Sequence, residues 1–577
     1  MRSSFFGLNV GVQGLYTAQT ALNVTNHNIS NAETKGYSRQ TAEISATRAL
    51  PNNRRGMVGT GAEVTNVVQS RNAYIDSKYW SMSQDLGQYT IKNDMLGQLE
   101  ILFNEPSDTG YNAMMGDLFS SIQTLSLNPP EDALVSGFVD SADSFAQYFN
   151  NLGKQLMNTQ KEANFGVKAT VTQINNISSQ IGALNDQIGN LELGGARAND
   201  LRDERANLLD SLSALINIET KETTDINGKN TFSVTIGGQM LVRGNQVNQL
   251  ELVPRTTLNN PEDVPDMFDI YWESGQKLYL NSETSSGELV GYLDVRDGNN
   301  GENFKGTITN NLAGPPQQIV VNNLSRNDIM AAGKIVAGNR EYEYSAMSFD
   351  EISGEMTFTL TAAAPELIAG INLETGEQVD FKGIPYYVQK LNEFVRTMAK
   401  EFNQIHKAGN GGADPKELFQ FKGYTGAPPQ MALDEANLFT YNQITIHNFA
   451  FSEEIINDNS LLETSFVSDA GESANDLLLA LFNIKQDVDV FSKGKPDSFM
   501  QAMISELAID TKKSESFKTG QENLTRLVDN QRKSVSSVDL NEETADMLRF
   551  QQAYNFSAKI ISVMDEIYDV TINQLKR

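Results

Sequence analysis

Residues 540–575, LNEETADMLRFQQAYNFSAKIISVMDEIYDVTINQL, place an apolar side chain at every seventh position: Leu540, Met547, Tyr554, Ile561, Tyr568 and Leu575. That spacing keeps the side chains on one face of a helix and marks a helix–helix seam. Asn541, Glu542, Glu543 and Thr544 provide a capped, acid-rich start that suits the positive end of a helix dipole. The pattern predicts a terminal helix over 541–575, roughly 50 Å long at ~1.5 Å per residue.

The other end carries a matching column. Leu8, Leu15, Leu22 and Ile29 recur at steps of seven, with Phe5 and Val12 on the neighbouring column. Two amphipathic terminal helices of this kind need a partner, either each other or a neighbouring subunit. Between them, Val68, Ile75, Met82, Tyr89, Leu96 and Phe103 form a third column, and Ile174, Ile177, Ile181, Leu184, Ile188 and Leu191 alternate steps of three and four. Gly194 and Gly195 break that helix, Asn199 or Asp200 can cap the next, and 167–217 reads as a helical hairpin. Val388, Leu391, Val395, Met398, Phe402 and Ile405 mark one more helix.

From about 221 to 383 the period changes to two. Phe232, Val234 and Ile236 alternate with polar residues, as do Phe268, Ile270 and Trp272, Tyr342 and Tyr344, and Met356, Phe358 and Leu360. The sequence DGNNGEN at 297–303 divides this β-rich stretch in two. The expected fold is multidomain α plus β: N- and C-terminal helices pair into a coiled-coil-like helical body, and β-rich domains are inserted in the middle of the chain. Six units follow: an N-terminal helix and motif (1–65), a first part of the helical body (66–220), a β-rich domain (221–298), an additional β-rich insert (299–383), a second part of the body (384–540, irregular near 409–470) and a C-terminal helix (541–577).

With 577 residues, 39% hydrophobic and 20% charged, the chain can bury several cores. Its 73 acidic against 45 basic residues give a net charge of −28, which repels phosphate backbones and argues against nucleic-acid partners. The absence of cysteine removes disulfides, thiolate metal sites and thiol nucleophiles. No apolar run approaches the ~18 residues of a membrane helix, so no membrane insertion is expected. The start MRSSFFGLNVGVQGLY lacks the uninterrupted apolar core and cleavage site of a secretory signal.

Catalytic, cofactor and metal sites find no candidates. His27, His406 and His447 are far apart in sequence and lack ligand spacing. Gly7, Gly11 and Gly14 do not form a dinucleotide loop, and no serine lies in a nucleophile elbow. Asp200, Asp203, Glu204 and Asp210, interleaved with Arg202 and Arg205, read as the salt-bridged solvent face of a helix. A function through assembly is the better expectation.

Residues 26–40, NHNISNAETKGYSRQ, decide between assembly proteins. Asn28, Asn31, Thr34, Gly36 and Tyr37 match the motif that follows the first helix in flagellar rod, hook and hook-associated axial proteins, with His27 and Lys35 departing from it. The continuation Ser38-Arg39-Gln40 is similar to the hook-associated branch. In the last helix, Leu548, Gln551, Gln552, Ala553, Tyr554, Ala558 and Asp565 fall on the same family's closing pattern, and NDLRDERANLLDSLS also resembles one of its helices. The resemblance fades over 299–383, which therefore looks like an extra domain.

This resemblance implies a non-enzymatic structural subunit at the distal end of the hook, joining hook to filament. It implies export through the flagellar type III apparatus without a cleaved signal peptide, and an extracellular place in the flagellum. It also implies a cytoplasmic chaperone on the C-terminal region, self-association into a ring or short helical tube, and contacts with the hook protein and with the next hook-associated protein toward the filament. Alternatives are a sibling axial protein, hook protein or flagellin, or an axial scaffold carrying an adhesive or enzymatic insert.

Overall fold

The first and last helices lie antiparallel against each other in the computed structural model. The structure describes residues 6–574 apart from 53–55, 104–106, 108, 225–229, 281–284, 327–328, 331, 339, 351–352, 413–415, 425–440, 468–470, 472 and 492–493. Leu575 and Phe5, expected on the terminal columns, lie outside the described residues. The helices of two turns or more are α1 (Phe6–Ser30), α2 (Ala73–Phe103), α3 (Tyr111–Leu127), α4 (Asp132–Glu192), α5 (Asn199–Leu215), α6 (Glu288–Asp297), α7 (Ile384–Lys407), α8 (Asp476–Asn483), α9 (Pro496–Ser536) and α10 (Leu540–Asp569).

Pairing is nested. α1 packs on α10, and inside that pair α2 packs along α9, where Tyr89 stacks on Phe517 and Lys518 reaches Asp94. An antiparallel hairpin of β1 (Gln40–Ala46) and β2 (Ala62–Gln69) follows α1. β2 crosses the expected boundary at 65, and Val68, expected on the α2 column, belongs to this strand.

The terminal seam is not the leucine column that periodicity suggested. On α1, Gly11, Thr17, Ala18, Ala21, Thr25 and Asn28 are buried, while Leu8, Leu15, Leu22 and Ile29 are half-buried beside them. Gly7, Gly11, Gly14, Ala18, Ala21, Thr25 and Asn28 follow alternating steps of four and three, a seam of small residues. A Cβ on Gly7 would stand 2.4 Å from Met564, on Gly11 3.1 Å from Ile561, and on Gly14 2.9 Å from Ser557. Small residues let the backbones approach, and the larger side chains of α10 fill the space. Met547, Tyr554, Ile561 and Tyr568 are half-buried along the α10 stripe, whereas Leu540 at the helix start is 48% exposed. Asp539, not Asn541, caps α10, accepting from the amides of Asn541 and Glu542.

The body has two cores. The first gathers the end of α2, α3, the first half of α4, α7, α8 and the start of α9 around ring pairs such as Phe149–Phe394 and Phe394–Phe491. The second joins the other half of α4, α5 and the sheets β3 (Glu219–Thr224), β4 (Asn230–Ile236), β5 (Gln239–Arg243), β6 (Gln246–Val247) and β7 (Leu250–Pro254) with β8 (Phe268–Trp272). α4 begins at Asp132, far before the expected 167, because Val135, Phe138, Ala142, Phe145, Phe149, Leu152 and Leu156 continue the three–four stripe and are all buried.

Residues 304–375 close into a six-stranded barrel. Its strands are β9 (Phe304–Leu312), β10 (Gln318–Asn322), β11 (Gly333–Ala337), β12 (Arg340–Asp350), β13 (Glu355–Leu360) and β14 (Asn372–Thr375). They run in the order β9-β10-β13-β12-β11-β14, and β14 closes the ring on β9. Phe304, Ile308, Ile319, Val321, Met356, Phe358 and Leu360 fill it. Both ends of this insert meet at one stem. The Asn300 amide donates to Phe381 O at 2.9 Å and the Gly383 amide to Gly298 O at 3.1 Å. A Cβ on Gly298 would lie 2.3 Å from Asp294 O, and one on Gly383 2.5 Å from Val295 O, so glycine is required where the stem crosses α6.

Gly11→Ile should separate α1 from α10, because branched carbons beyond a Cβ already 3.1 Å from Ile561 have no space. We expect a loss of about 2 kcal/mol in amide-exchange protection over α1 and α10 with α2 and α9 unchanged. Equal protection in variant and parent contradicts the seam.

Candidate functional site

The motif after α1 and the start of α10 meet at one hydrogen-bonded junction. α1 stops because the Asn31 side chain turns back to donate to His27 O at 3.0 Å, and the chain reverses through Thr34, whose amide donates to Asn31 O. Gly36 has φ +79°, and a Cβ there would lie 1.8 Å from Asn207 Oδ1. The reversal returns Tyr37 to Asn28, whose Oδ1 accepts from Tyr37 Oη at 2.7 Å and from the Gln40 amide at 2.9 Å. Asn28 Nδ2 in turn donates to Gln40 O at 2.8 Å and to Glu543 Oε2 at 3.0 Å.

Glu543 is 2% exposed, the one buried residue among those described on α10. Its Oε1 accepts from Arg39 Nε at 2.6 Å, and Arg39 Nη2 reaches Glu542 at 3.1 Å. Burial depresses the Arg39 pKa, but the Glu543 and Glu542 carboxylates outweigh it and hold the guanidinium above its ordinary value. The Arg39 amide also donates to Ser536 O, the end of α9, at 2.8 Å.

α5 forms the third wall. The Ser38 amide and hydroxyl donate to Asp203 at 2.9 and 2.7 Å, and Arg71 Nη1 donates to the same carboxylate at 3.1 Å while Nε and Nη2 grip Asp76 at 2.9 and 3.1 Å. Gln40 Nε2 donates to Asp200 Oδ1 at 2.7 Å, with His27 Nε2 at 3.2 Å from the same oxygen. Burial raises the Asp203 pKa, partly offset by Ser38 and Arg71, and burial with Asp200, Asp203 and Glu543 raises that of Tyr37. Asp210 binds the Trp80 indole at 2.8 Å and Arg532 at 2.7 Å, tying α5 to α2 and α9.

The solvent-face reading of this acidic helix is therefore corrected. Asp203 and Asp210 share the inner stripe of Asn199 and Ala206, and of the four acids Asp200 and Glu204 are on the exposed side. Charge runs resemble a solvated face in sequence; here the wall opposite α5 is itself polar. Of the motif residues, Asn28, Tyr37, Ser38, Arg39 and Gln40 converge on the junction, and Asn31, Thr34 and Gly36 shape the turn behind it. Leu548, Gln551 and Gln552 are exposed on α10, while Tyr554 and Ala558 lie half-buried along the α1 pair. Glu543, Asp203 and Arg71 were missed as site residues. The available signal was a charge in phase with a buried stripe: Glu543 lies four before Met547, and Asp203 three before Ala206.

The histidines stay apart. His406 is buried, its Nδ1 faces Lys416 O at 2.8 Å, its Nε2 accepts from the Glu463 amide at 3.0 Å, and burial lowers its pKa. His447 stands 3.7 Å from Glu262.

Glu543→Ala should leave Arg39 and Asn28 facing a void, costing about 3 kcal/mol, with Glu543→Gln losing less. The loss should appear as faster amide exchange in α1 and α10, and unchanged exchange there removes Glu543 from its role. Glu192 closes the α4–α5 turn. Burial would raise its pKa, but the Arg202 hydrogen bonds and the Ala198 amide outweigh burial and pull it from 4.5 to about 2. A carboxyl depressed in the fold stabilises above its ordinary pKa and loses that contribution as pH falls through the folded value. Acid titration should therefore show stability falling between pH 4.5 and about 2 more steeply in the parent than in Glu192→Gln; parallel curves refute this.

Family models and relatives among known proteins agree on one relationship. A family model described as flagellar hook-associated protein FlgK helical domain matches residues 96–313, and one described as flagellar basal body rod FlgEFG protein C-terminal matches 534–575. Flagellar hook-associated protein 1 of Bacillus subtilis (strain 168) is 25% identical over 99% of both chains. That of Escherichia coli (strain K12) is 26% identical over 98% of this chain and 99% of its own. Among solved structures, the flagellar hook junction protein FlgK from Burkholderia pseudomallei aligns at 12% identity and a TM-score of 0.45, covering 80% of this chain and all of that one.

Proposed function

We propose, from the premise that this chain belongs to the flagellar hook-associated protein 1 family, that it is a structural subunit of the bacterial flagellum at the distal end of the hook, where it forms the junction between hook and filament. The observation that carries this reading is the junction itself. The two segments in which rod and hook-associated resemblance resides, 26–40 and 534–575, hold each other through Asn28, Arg39 and Glu543, so the part of the chain shared with axial proteins is one unit built from both ends.

The outer face of α10 supports self-association. The seam of the terminal helices is filled by their own pairing, yet Leu548, Phe556, Val563 and Ile567 on α10 remain 47–66% exposed. A ridge of that kind invites burial. We assign it to contacts between copies in a ring or short helical tube, with hook protein below and the next hook-associated protein above. Before export a cytoplasmic chaperone on the C-terminal region covers it. The subunit leaves through the flagellar type III apparatus without a cleaved signal peptide, works outside the cell and has no enzymatic role. The barrel within 299–383 faces outward, since its stem returns the chain to its point of departure.

A strain lacking this chain should bear hooks without filaments and release flagellin into the medium, as seen by electron microscopy and by assaying the medium. Normal filaments would refute the junction role. Replacing 300–381 with a short linker should spare filament attachment, because the stem ends already meet and closure across a short linker is a small entropic change. Bald hooks from an exported deletion variant would place the barrel at a subunit contact.

A further inference from the structure

Arg205 on α5 is 6% exposed. The carboxylates that would ordinarily neutralise it are held by its neighbour: one turn earlier, Arg202 binds Glu192 at 2.7 Å and Glu222 at 2.9 Å. Among the described residues Arg205 has no carboxylate partner. Its Nη1 donates to Asn185 Oδ1 at 2.9 Å, and its guanidinium lies 3.8 Å over the Phe232 ring. A guanidinium carries five N–H donors, and a buried cation with donors unspent is costly. Burial, with Arg202 and Arg71 nearby, lowers its pKa to about 10 despite Glu222 and Glu192, the direction expected of a cation short of counter-charge.

Arg205 lines a cavity of about 190 Å³ between α4, α5 and the β3–β6 sheet. Arg243 faces the same space from β5, and Asn230, Thr231 and Gln246 add neutral polar groups. Two carboxylates also border it. Asp186 is exposed and accepts from Asn190 at 3.2 Å, and Glu222 is engaged by Arg202. In a chain of net charge −28, two guanidinia, the buried Arg205 and the exposed Arg243, border one polar cavity.

We propose that this cavity is a binding site for a small oxyanion of phosphate size, gripped by the Arg205 fork with Arg243 as the second cation. Planar guanidinium groups bind such anions through paired hydrogen bonds, and the stacked Phe232 ring holds the fork in place. The bound anion ties α4, α5 and the sheet together, stabilising the part of the body that presents Asp200 and Asp203 to the junction.

The test is thermal unfolding of the full-length monomer in inorganic phosphate, against sodium chloride at matched ionic strength. A ligand that binds the folded state raises Tm progressively with concentration. The parent should show that rise over the chloride control. Arg243→Ala, whose side chain is exposed and whose loss leaves the core intact, should weaken it several-fold, and Arg205→Lys, which keeps the charge but not the fork, should abolish it. No rise in the parent, or an equal rise in the parent and both variants, overturns the site.

Discussion

The carboxylate of Glu543 is buried where the first and last helices leave the body, and the chain ends are arranged around that charge. Removing an ion from water costs several kcal/mol unless every lone pair finds a donor. Here Asn28 and Arg39 supply the donors, and neither is free to move. Asn28 is fixed by Tyr37 and the Gln40 backbone, and Arg39 by the α9 terminus. The ion pair thus has one satisfied geometry, and through it the direction of α1–α10 is referred to α5 and α9. Hydrophobic contact alone would not fix that angle, because it is non-directional.

The small-residue seam answers a different need. α1 buries almost no large side chain against α10; its leucines lie to the side. Close backbone approach replaces interlocking leucines, so the pair is thin and the outer ridge of α10 stays uncovered. In the body the opposite solution holds: Phe145 packs edge to face on Phe149 and Phe419, and Phe149 stacks on Phe394, in a thick core. One chain therefore combines a bulky, self-sufficient body with slender ends.

Periodicity made the helices and strands legible where apolar residues carry them. The α7 column from Val388 to Phe402 is buried throughout, and the alternation at Met356, Phe358 and Leu360 is a strand with those side chains inside. The first half of α4 carries the same signal in the stripe from Val135 to Leu156, but the helix expected from sequence begins only at 167. What else escaped was carried by residues with little hydrophobic signature. Glycine, alanine and threonine mark the α1 seam, and a charge in phase with a buried stripe marks the junction. Barrel closure was beyond reach for another reason: Lys305 opposite Glu374 is a pairing across the whole insert, and no local pattern encodes it. At the junction, the family-like motif identified Asn28, Tyr37, Ser38, Arg39 and Gln40, but their acidic partners come from helices more than a hundred residues away.

The nested pairing, first helix with last and second with next-to-last, makes the molecule sensitive to its own completeness. A chain delivered from its N-terminus can close the α4–α5 hairpin early, since its contacts are local, and the barrel once residues 304–375 are present, but α1 has no partner until the final residues arrive. A truncated copy could therefore fold its body and still present a bare first helix, with Asn28 and Arg39 lacking their carboxylate. The terminal unit acts as a length check that only a finished polypeptide passes.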